Sequence, residues 1–459
     1  MKTFVLRSNI LLLATFLFPL SLAGGCSDDE PEIAVARADA ALDGAAPDAG
    51  SDLGSDLGTE AGSNDASAPD AAPGDALAAA PQAAVGIAVL SSDRKSTALS
   101  LLALDGTQVS KDQCFHSGSQ SPQLTAALSG DVVLPSTPQP RNEIAVIDRK
   151  NGTITWLAPA SCEVLRQMNV GPGFASNPYD LVAGLPGGKG YVARYGTNPG
   201  NPAEGSDLLI IDSDKATARG TIDLRAQVPA VAAPQGKPLL PDPTHLVFAA
   251  GRVYVLLNNL SADYETTGMG RLVAIDPATD LVAGTIDLPG LSNCGALQAF
   301  TGAGGDTLVV GCSGPFSAGP AQIDSAGVAW VDLSRSPAEV KVVKSQPFGR
   351  PVSGFDVGVL DTTIGFTVVS GDFGMPPTDA VWSFDFKGGA PHKIHESDSS
   401  FSLSLTIDRD RRRLYILDAG KADPKVHILS LPAGGTPTET GAFVSNQTAG
   451  LPPRLLALY

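Results

Sequence analysis

The sequence GRLVAIDPATDLVAGTIDLPG, from Gly270 to Gly290, holds two short apolar runs on either side of a turn. Pro277 fixes its own φ angle in that turn, and the Asp276 side chain can bond to the backbone that follows, so the stretch predicts a β-hairpin. A near copy, SDLLIIDSDKATARGTIDL, ends at Leu224 and shares the letters GTIDL with it. A hairpin that recurs at a long spacing indicates a repeat architecture.

The repeat extends over most of the chain. A strand pattern that ends in Asp or a polar equivalent occurs seven times, at Asp105, Asp148, Asp212, Asp276, Asp332, Asp385 and Ser430. These ends are 43 to 64 residues apart, which leaves room for four strands and their loops in each repeat. Long runs with a 3.6-residue helical period are not found after the N-terminal segment. We therefore predict an all-β, seven-bladed β-propeller over residues 84–459.

Each of these strands is preceded by one apolar run, and in six repeats by a second. In the second repeat the two runs are PQLTAAL from Pro122 and DVVL from Asp131. The first repeat lacks one run, and a spare strand pattern stands at the end of the chain, Pro452–Tyr459. Pairing this last strand with the first blade closes the ring and removes an exposed sheet edge. An extra hairpin within Asn151–Val170 would change the blade count by one.

Several repeats carry a recognisable pattern. Its first part is GYVA at Gly190, VYV at Val253 and LYI at Leu414; its second part is an Ile-Asp pair followed by Thr217 or Thr279. These letters resemble the YVTN family of β-propeller repeats, which occurs in bacterial surface and periplasmic proteins. The resemblance implies the fold, whereas propellers in general serve as binding modules, lactonases and dehydrogenases alike.

Residues 1–25 have the features of a targeting segment. Two basic residues precede an apolar run, Ile10–Leu22, that is too short to span a bilayer. Small residues then lead into Cys26. This arrangement resembles the bacterial lipoprotein signal, which implies a lipidated Cys26, and Ser27 by the same resemblance favours the outer membrane. The alternative is an ordinary secretory signal in which Cys26 has no such role.

Residues 26–83 are rich in Ala, Asp, Gly, Pro and Ser and contain no aromatic residue. Because such a segment buries too little apolar surface to offset its conformational entropy, we expect a disordered linker. With thirteen acidic residues and one basic residue, it accounts for most of the formal net charge of −17. The acidity therefore belongs mainly to the linker, and it makes nucleic acid a poor partner.

Besides Cys26 the chain has four cysteines, an even number in a protein expected to leave the reducing cytosol. Cys294 and Cys312 flank two short strands and suit a local bridge. Cys114 and Cys162 follow corresponding points of successive repeats and suit a bridge between neighbouring blades. Structural disulfides are therefore expected.

Propellers bind ligands at the mouth of the central channel, and the strand assignment places five polar or aromatic candidates near it. They are Tyr179, Arg194, His245, Asn258 and Asp372. The segment PHKIHE supplies weak metal-ligand candidates in His392, His395 and Glu396. A shared metal ion would suit this spacing better in a helix or turn, because residues three apart face opposite sides of a strand. We expect an outer strand or turn at this segment. No cofactor is expected.

Three functions fit the sequence. The first is a lipid-anchored envelope protein whose monomeric propeller is a non-catalytic binding or scaffold module for a protein or a small molecule. The second is a propeller-type lactonase or dehydrogenase that acts at the channel mouth. The third is a component of an outer-membrane uptake or assembly complex, which an exposed apolar patch on one face would support. The absence of a recognisable catalytic motif favours the first.

Overall fold

The computed structural model describes residues 84–107, 113–229, 237–302, 305–316, 320–371, 377–422, 424–433, 436–444 and 450–459. The predicted signal segment, Cys26 and the rest of the predicted linker lie outside these ranges, and so does Asp372. Among the residues described, no helix has both the length and the apolar character needed to cross a membrane.

The described chain forms seven antiparallel four-stranded sheets, the blades, and one two-stranded sheet. The strands of blades 1 to 3 are, in chain order, β1 (Gly86–Ser92), β2 (Thr97–Ala103), β3 (Phe115–His116), β4 (Val132–Val133), β5 (Ile144–Asp148), β6 (Thr153–Ala158), β7 (Glu163–Asn169), β8 (Pro178–Leu185), β9 (Lys189–Thr197), β10 (Gly205–Asp212) and β11 (Thr217–Asp223). Blades 4 and 5 and the two-stranded sheet contain β12 (Leu239–Leu240), β13 (Pro243–Ala249), β14 (Arg252–Leu257), β15 (Leu260–Ser261), β16 (Met269–Asp276), β17 (Leu281–Ser292), β18 (Cys294–Gly302), β19 (Gly305–Ser313), β20 (Ala326–Asp332) and β21 (Glu339–Lys344).

Blades 6 and 7 and the closing strand contain β22 (Val352–Val359), β23 (Ile364–Val369), β24 (Ala380–Asp385), β25 (His392–Glu396), β26 (Leu403–Asp408), β27 (Arg413–Asp418), β28 (Lys425–Ser430), β29 (Thr438–Phe443) and β30 (Pro453–Leu458). Helix is confined to short pieces in the described ranges. These are α1 (Pro320–Ser325) and the 3₁₀ turns Pro140–Asn142, Pro186–Gly188, Arg225–Gln227 and Gln346–Phe348.

In blades 2 to 7 the first strand in chain order is the innermost and the fourth is the outermost. In blade 1 the innermost strand is β30, and β1, β2 and β3 follow outward. The inner strands β8, β13, β18, β22, β26 and β30 contact one another in that order, as expected around a central channel. The outer strands of blades 3 and 7, β11 and β29, are almost entirely exposed. Because the strands alternate in direction, the connections from second to third strand and from one blade to the next lie on one face of the ring. We call this the upper face, and the opposite one the lower face.

The core consists of seven apolar clusters, each between two neighbouring blades. The cluster between blades 7 and 1 shows that the ring is closed. It joins Ile87 and Val89 of β1 to Tyr415 and Leu417 of β27, and Leu456 of β30 packs with them. Every blade therefore buries both of its faces, which explains why the second and third strands are apolar on both sides.

The closing strand behaves as the sequence predicts. β30 pairs with β1 in antiparallel register and takes the inner position of blade 1. The backbones of Gly86 and Tyr459 exchange two hydrogen bonds, of 3.1 and 3.0 Å. A Cβ atom at Gly86 would collide with the Tyr459 ring, so glycine lets the ring pack against β1 in this position. The prediction of a seven-bladed ring closed by the C-terminal strand is confirmed.

The strand assignment within blade 2 was wrong, although the blade count was right. The strand that ends at Asp148 is the second of its blade, not the third, and β6 and β7 form the additional hairpin. The run from Pro122 is not a strand: its backbone N–H groups at Thr125 and Ala126 donate to the Gln167 side chain, at 2.8 and 2.9 Å. Because the Gln167 side chain satisfies these backbone groups, the run from Pro122 pairs with no strand. One strand too many was assigned before β4 and one too few after β5, so the number of strands in blade 2 stays at four.

Both predicted disulfides are formed. Cys114, just before β3, is bonded to Cys162 in the turn between β6 and β7, so this bridge ties blade 1 to blade 2. Cys294 is bonded to Cys312 across the register of β18 and β19, within blade 5.

Deleting residues 453–459 should leave β1 as an open edge and remove Leu456 from the cluster between blades 7 and 1. We expect the shortened protein to lose cooperative unfolding and to self-associate, because an unpaired edge strand templates further pairing. Circular dichroism melts and light scattering measure both effects. Addition of a peptide with the sequence of residues 450–459 should restore the monomer; a shortened protein that melts like the full chain would contradict the closure.

Candidate functional site

The upper end of the channel between blades 2, 3 and 4 gathers aromatic and charged side chains. Tyr179 lies near the start of β8, and His245 near the start of β13. The two rings meet edge to face with their centroids 5.7 Å apart, and Tyr195 lies 5.7 Å from Tyr179 on the other side. Burial raises the pKa of Tyr179 and lowers the pKa of His245, so both rings are neutral at neutral pH.

Blade 2 contributes a cation to this cluster. The Cζ atom of Arg149, in the turn after β5, lies 5.4 Å from the centroid of the Tyr179 ring. The same guanidinium is ion-paired with Asp131, and its Nε donates to that carboxylate at 2.8 Å. The positive charge therefore stays compensated while its apolar face rests on an aromatic ring, a favourable cation–π arrangement.

Asp180 links three blades through its carboxylate. It accepts from the backbone N–H of Ser136 at 2.9 Å and from that of Leu246 at 2.8 Å, and the Ser136 hydroxyl also donates to it. Burial raises the pKa of Asp180, although nearby His245 and the hydrogen bonds from Ser136 act in the opposite direction. Because Ser136 belongs to blade 2 and Leu246 to blade 4, these hydrogen bonds connect blade 3 to both of its neighbours.

Blade 6 repeats this device. Asp356 of β22 accepts from the Ser404 hydroxyl at 3.0 Å and from the Leu405 backbone N–H at 3.3 Å, both on the inner strand of blade 7. Burial raises the pKa of Asp356 to about 6, against the effect of these two hydrogen bonds. After burial, the charge of Asp356 is one of the effects that raise the pKa of Tyr179, so the two side chains interact electrostatically although they belong to different blades.

A second layer lies behind Tyr195. Tyr195 is hydrogen-bonded to the side chain of Asn258, and burial followed by the charge of Asp242 raises its pKa well above the ordinary value. Asp242 is 3% exposed and hydrogen-bonded to Ser206. Burial raises the pKa of Asp242 to about 8, so this carboxyl is mostly protonated at neutral pH.

Two buried polar atoms in this region have no hydrogen-bond partner in the protein, Nδ1 of His245 and Oδ1 of Asn258. A buried polar atom without a partner costs free energy unless water or a ligand supplies one. The channel mouth therefore has the chemistry of a polar binding site: neutral rings, one paired cation and two carboxyl groups with raised pKa values.

The five residues predicted for the channel mouth do not all lie together in the structure. Tyr179 and His245 lie together at the channel, and Asn258 lies behind them. Arg194 forms a bidentate pair with Asp207, at 2.7 and 2.6 Å, beside a pocket of about 280 Å³ in blade 3. Asp372 lies outside the described residues.

Sequence reasoning missed Arg149, Asp180 and Asp356. A signal for the two acids was present, because an aromatic residue followed by Asp occurs in the inner strands of blades 3 and 6, as Tyr179-Asp180 and Phe355-Asp356. No pattern in the sequence singled out Arg149.

The three weak metal candidates are not brought together. They lie on strand β25, where His392 and Glu396 are exposed and Glu396 is ion-paired with Lys393. His395 instead points inward to Asp418, with 2.7 Å between Nε2 and Oδ2, and its ring centroid is 4.5 Å from that of His427. The prediction of an outer strand or turn at this segment is confirmed, because β25 is the outer strand of blade 6.

The upper face also carries exposed aromatic side chains. Phe316 is 56% exposed in the connection between β19 and β20, Phe355 is 49% exposed in the first half of β22, and Phe401 is 56% exposed in the connection to blade 7. Tyr264, in the connection after β15, is half-buried and lies 6.2 Å from Phe316 in an edge-to-face contact. These four residues, which we call the aromatic arc, come from blades 4, 5 and 6.

Comparison with known proteins supports the fold. A hypothetical selenium-binding protein from Sulfolobus tokodaii is similar over 82% of this chain and 94% of its own, with a TM-score of 0.55 and 11% identity. A protein from Lactobacillus plantarum is similar over 82% of this chain and 99% of its own, with a TM-score of 0.51 and 10% identity. No protein-family model and no curated protein sequence matches the chain.

Substitution Asp242→Asn should stabilise the protein at high pH more than at low pH. Because the folded-state pKa is raised from 3.8 to about 8, the folded chain holds a proton that the unfolded chain releases, and wild-type stability falls as the pH rises across that range. Asn removes the effect and tolerates the positive φ of 46° at this position. We expect a gain of the order of 2–4 kcal/mol in unfolding free energy at pH 8 and little at pH 4.

Urea unfolding at the two pH values measures this difference. Asp410→Asn, at an exposed turn, is the matched control and should change stability equally at both. An Asp242→Asn protein whose stability follows the wild-type pH profile would show that Asp242 is ionised in the folded state.

Proposed function

We propose that the protein is a lipid-anchored protein of the bacterial cell envelope whose propeller is a non-catalytic module that binds a protein partner through its upper face. The observation that carries this proposal is the aromatic arc. In the described chain all three exposed Phe side chains lie on the upper face, whereas the exposed aliphatic ones are scattered over the molecule: Val85, Leu165, Leu281 and Val444. Exposed aromatic residues on one face are typical of protein interaction sites.

The backbone of the arc supports the same conclusion. Phe401 has a φ of +56° and Tyr264 a φ of +61°, a left-handed conformation that costs a bulky residue about 1 kcal/mol. Gly or Asn would adopt it more cheaply. Backbone strain of this kind is concentrated at functional sites.

The channel fits a binding module as well. Its charged groups are held by neighbours, Arg149 by Asp131 and Asp180 by Ser136 and Leu246. Such groups give the upper face a fixed polar centre beside the aromatic arc. The anchor is supported by the sequence before Cys26, and the acidic linker would give the propeller reach from the membrane surface.

The lactonase or dehydrogenase alternative remains a prediction from the sequence. The similarity to solved structures concerns the fold, and propellers with the same fold carry unrelated functions. A measured turnover would favour it over the binding module.

The aromatic arc is tested by removing its exposed rings. The triple variant Phe316→Ala/Phe355→Ala/Phe401→Ala should lose the partner protein that the wild-type chain retains in affinity capture from its own membranes, followed by mass spectrometry. Truncation of aromatic anchors at an interface costs roughly 2 kcal/mol or more for each hot spot, so a loss of about 30-fold or more in affinity is expected.

The matched control is Leu165→Ala/Leu281→Ala, which removes exposed apolar side chains from the outer strands β7 and β17. This variant should retain the partner. Equal loss in both variants, or retention in the triple variant with an unchanged melting temperature, would refute the upper face as the binding surface.

The anchor has its own test. Substitution Cys26→Ser should move the protein from the membrane fraction to the soluble fraction of fractionated cells and abolish incorporation of a labelled fatty acid, because the thiol is the predicted point of acylation. Cys294→Ser/Cys312→Ser, which removes a disulfide inside the propeller, should leave fractionation unchanged. A Cys26→Ser protein that stays in the membrane fraction would exclude lipid anchoring as the means of attachment.

A further inference from the structure

A second cluster of polar side chains lies between blades 6 and 7, away from the channel mouth. His395 projects from β25, the outer strand of blade 6. Asp418 ends β27, and His427 lies in the neighbouring strand β28 of blade 7. The cluster therefore joins two blades that share no backbone pairing at this point.

The register of blade 7 places two of these residues on one face. His427 stands opposite Ile416, and Asp418 follows Ile416 by two residues, so both side chains project from the same side of the sheet. Diagonal neighbours of this kind are within reach of each other. His395 approaches from the adjacent blade and completes the set.

The distances suit a single small cation. One ligand atom from each of the three residues lies within 4.8 Å of the others. Ligand atoms around a tetrahedral zinc ion, with bonds of about 2.0 to 2.2 Å, are roughly 3.3 Å apart, so small side-chain rotations are sufficient. Imidazole nitrogen with one carboxylate oxygen is a donor set of zinc and related transition metals.

Burial supplies an independent indication. His427 is 7% exposed, and its Nδ1 atom lies 3.2 Å from Oε1 of Glu439. The ring is therefore held between the Glu439 carboxylate and the other side chains of the cluster. A buried imidazole beside a second imidazole and two carboxylates is a donor set that transition metals accept.

The carboxylate is already oriented. Oδ1 of Asp418 accepts from the Ser397 hydroxyl at 2.6 Å and from the Gly420 backbone N–H at 2.8 Å. Ser397 is held in turn by the Ser402 hydroxyl at 2.8 Å. Oδ2 is thereby left to face His395, and hydrogen bonds that fix a ligand in this way are typical of metal sites.

We propose that His395, Asp418 and His427 form a binding site for one divalent transition-metal ion of the zinc type, which clamps blade 7 to blade 6. The ion replaces the hydrogen bond between His395 and Asp418 and takes one oxygen and two nitrogens as ligands. Glu439, whose side chain is 50% exposed, or a water molecule fills the fourth position. The site is separate from the aromatic arc, so either proposal can fail without the other.

The test is a zinc titration of the untagged, metal-stripped full chain by calorimetry, with elemental analysis of the reloaded protein. We expect one zinc ion per chain, and a higher melting temperature in the presence of zinc because the ion binds the folded state. Cobalt bound in place of zinc should give the strong visible absorption bands of a four-coordinate cobalt site.

The chain offers a matched control on the same strand. His395→Ala should weaken zinc binding roughly 100-fold or more and abolish the zinc-dependent rise in melting temperature, since a direct ligand contributes at least as much as the outer groups that orient it. His392→Ala removes an exposed histidine three residues away and should bind zinc like the wild type. Asp418→Asn, which keeps the shape of the side chain, is the second ligand variant and should behave like His395→Ala.

Two results would overturn the proposal. The first is a wild-type chain that binds no zinc in a one-to-one ratio. The second is a His395→Ala or Asp418→Asn protein, with the circular dichroism spectrum of the folded wild type, that binds zinc as tightly as His392→Ala does.

Discussion

The constraint on which the structure depends is that every blade must bury both of its faces against a neighbour. Seven apolar clusters, one for each pair of adjacent blades, meet this requirement only if the ring is closed. Closure is achieved by β30, which fills the inner position of blade 1 although it comes from the far end of the chain. The Cys114–Cys162 bridge then holds blade 1 to blade 2, so the first blade is tied to the ring on both sides.

Closure also determines which side chains share a face. Because all inner strands run in the same direction, their starts lie on the upper face together with the connections between blades. Tyr179, His245 and Asp356 lie on inner strands that border the same channel for this reason, although they come from blades 3, 4 and 6. The aromatic arc lies on the same face. A polar centre with exposed aromatic residues beside it is the composition of a surface that recognises another molecule.

Much of this fold could be predicted from the sequence, and the reason is that each blade repeats one local pattern. The blade count, the closing strand and both disulfides follow from spacing. Blade 2 shows the limit of this reasoning. The run from Pro122 has the residue pattern of a strand, but its backbone N–H groups donate to the Gln167 side chain. A contact between residues so far apart in the sequence cannot be seen in a local pattern. For the same reason the segment PHKIHE identified His395 as a metal-ligand candidate but not Asp418 and His427, because these two neighbours of His395 lie on the next blade. A channel or inter-blade site is assembled by tertiary packing, which spacing does not record.

The central claim is that the protein binds its partner through the upper face. Photo-crosslinking in living cells tests it most directly, with a photoreactive amino acid placed singly at position 355 or 401 of the upper face, and at position 281 on the outer strand β17 as reference. The account predicts a crosslinked species of one reproducible mass from positions 355 and 401 and none from position 281. Crosslinking from position 281 alone, or from no position in cells that express the anchored protein, would contradict it.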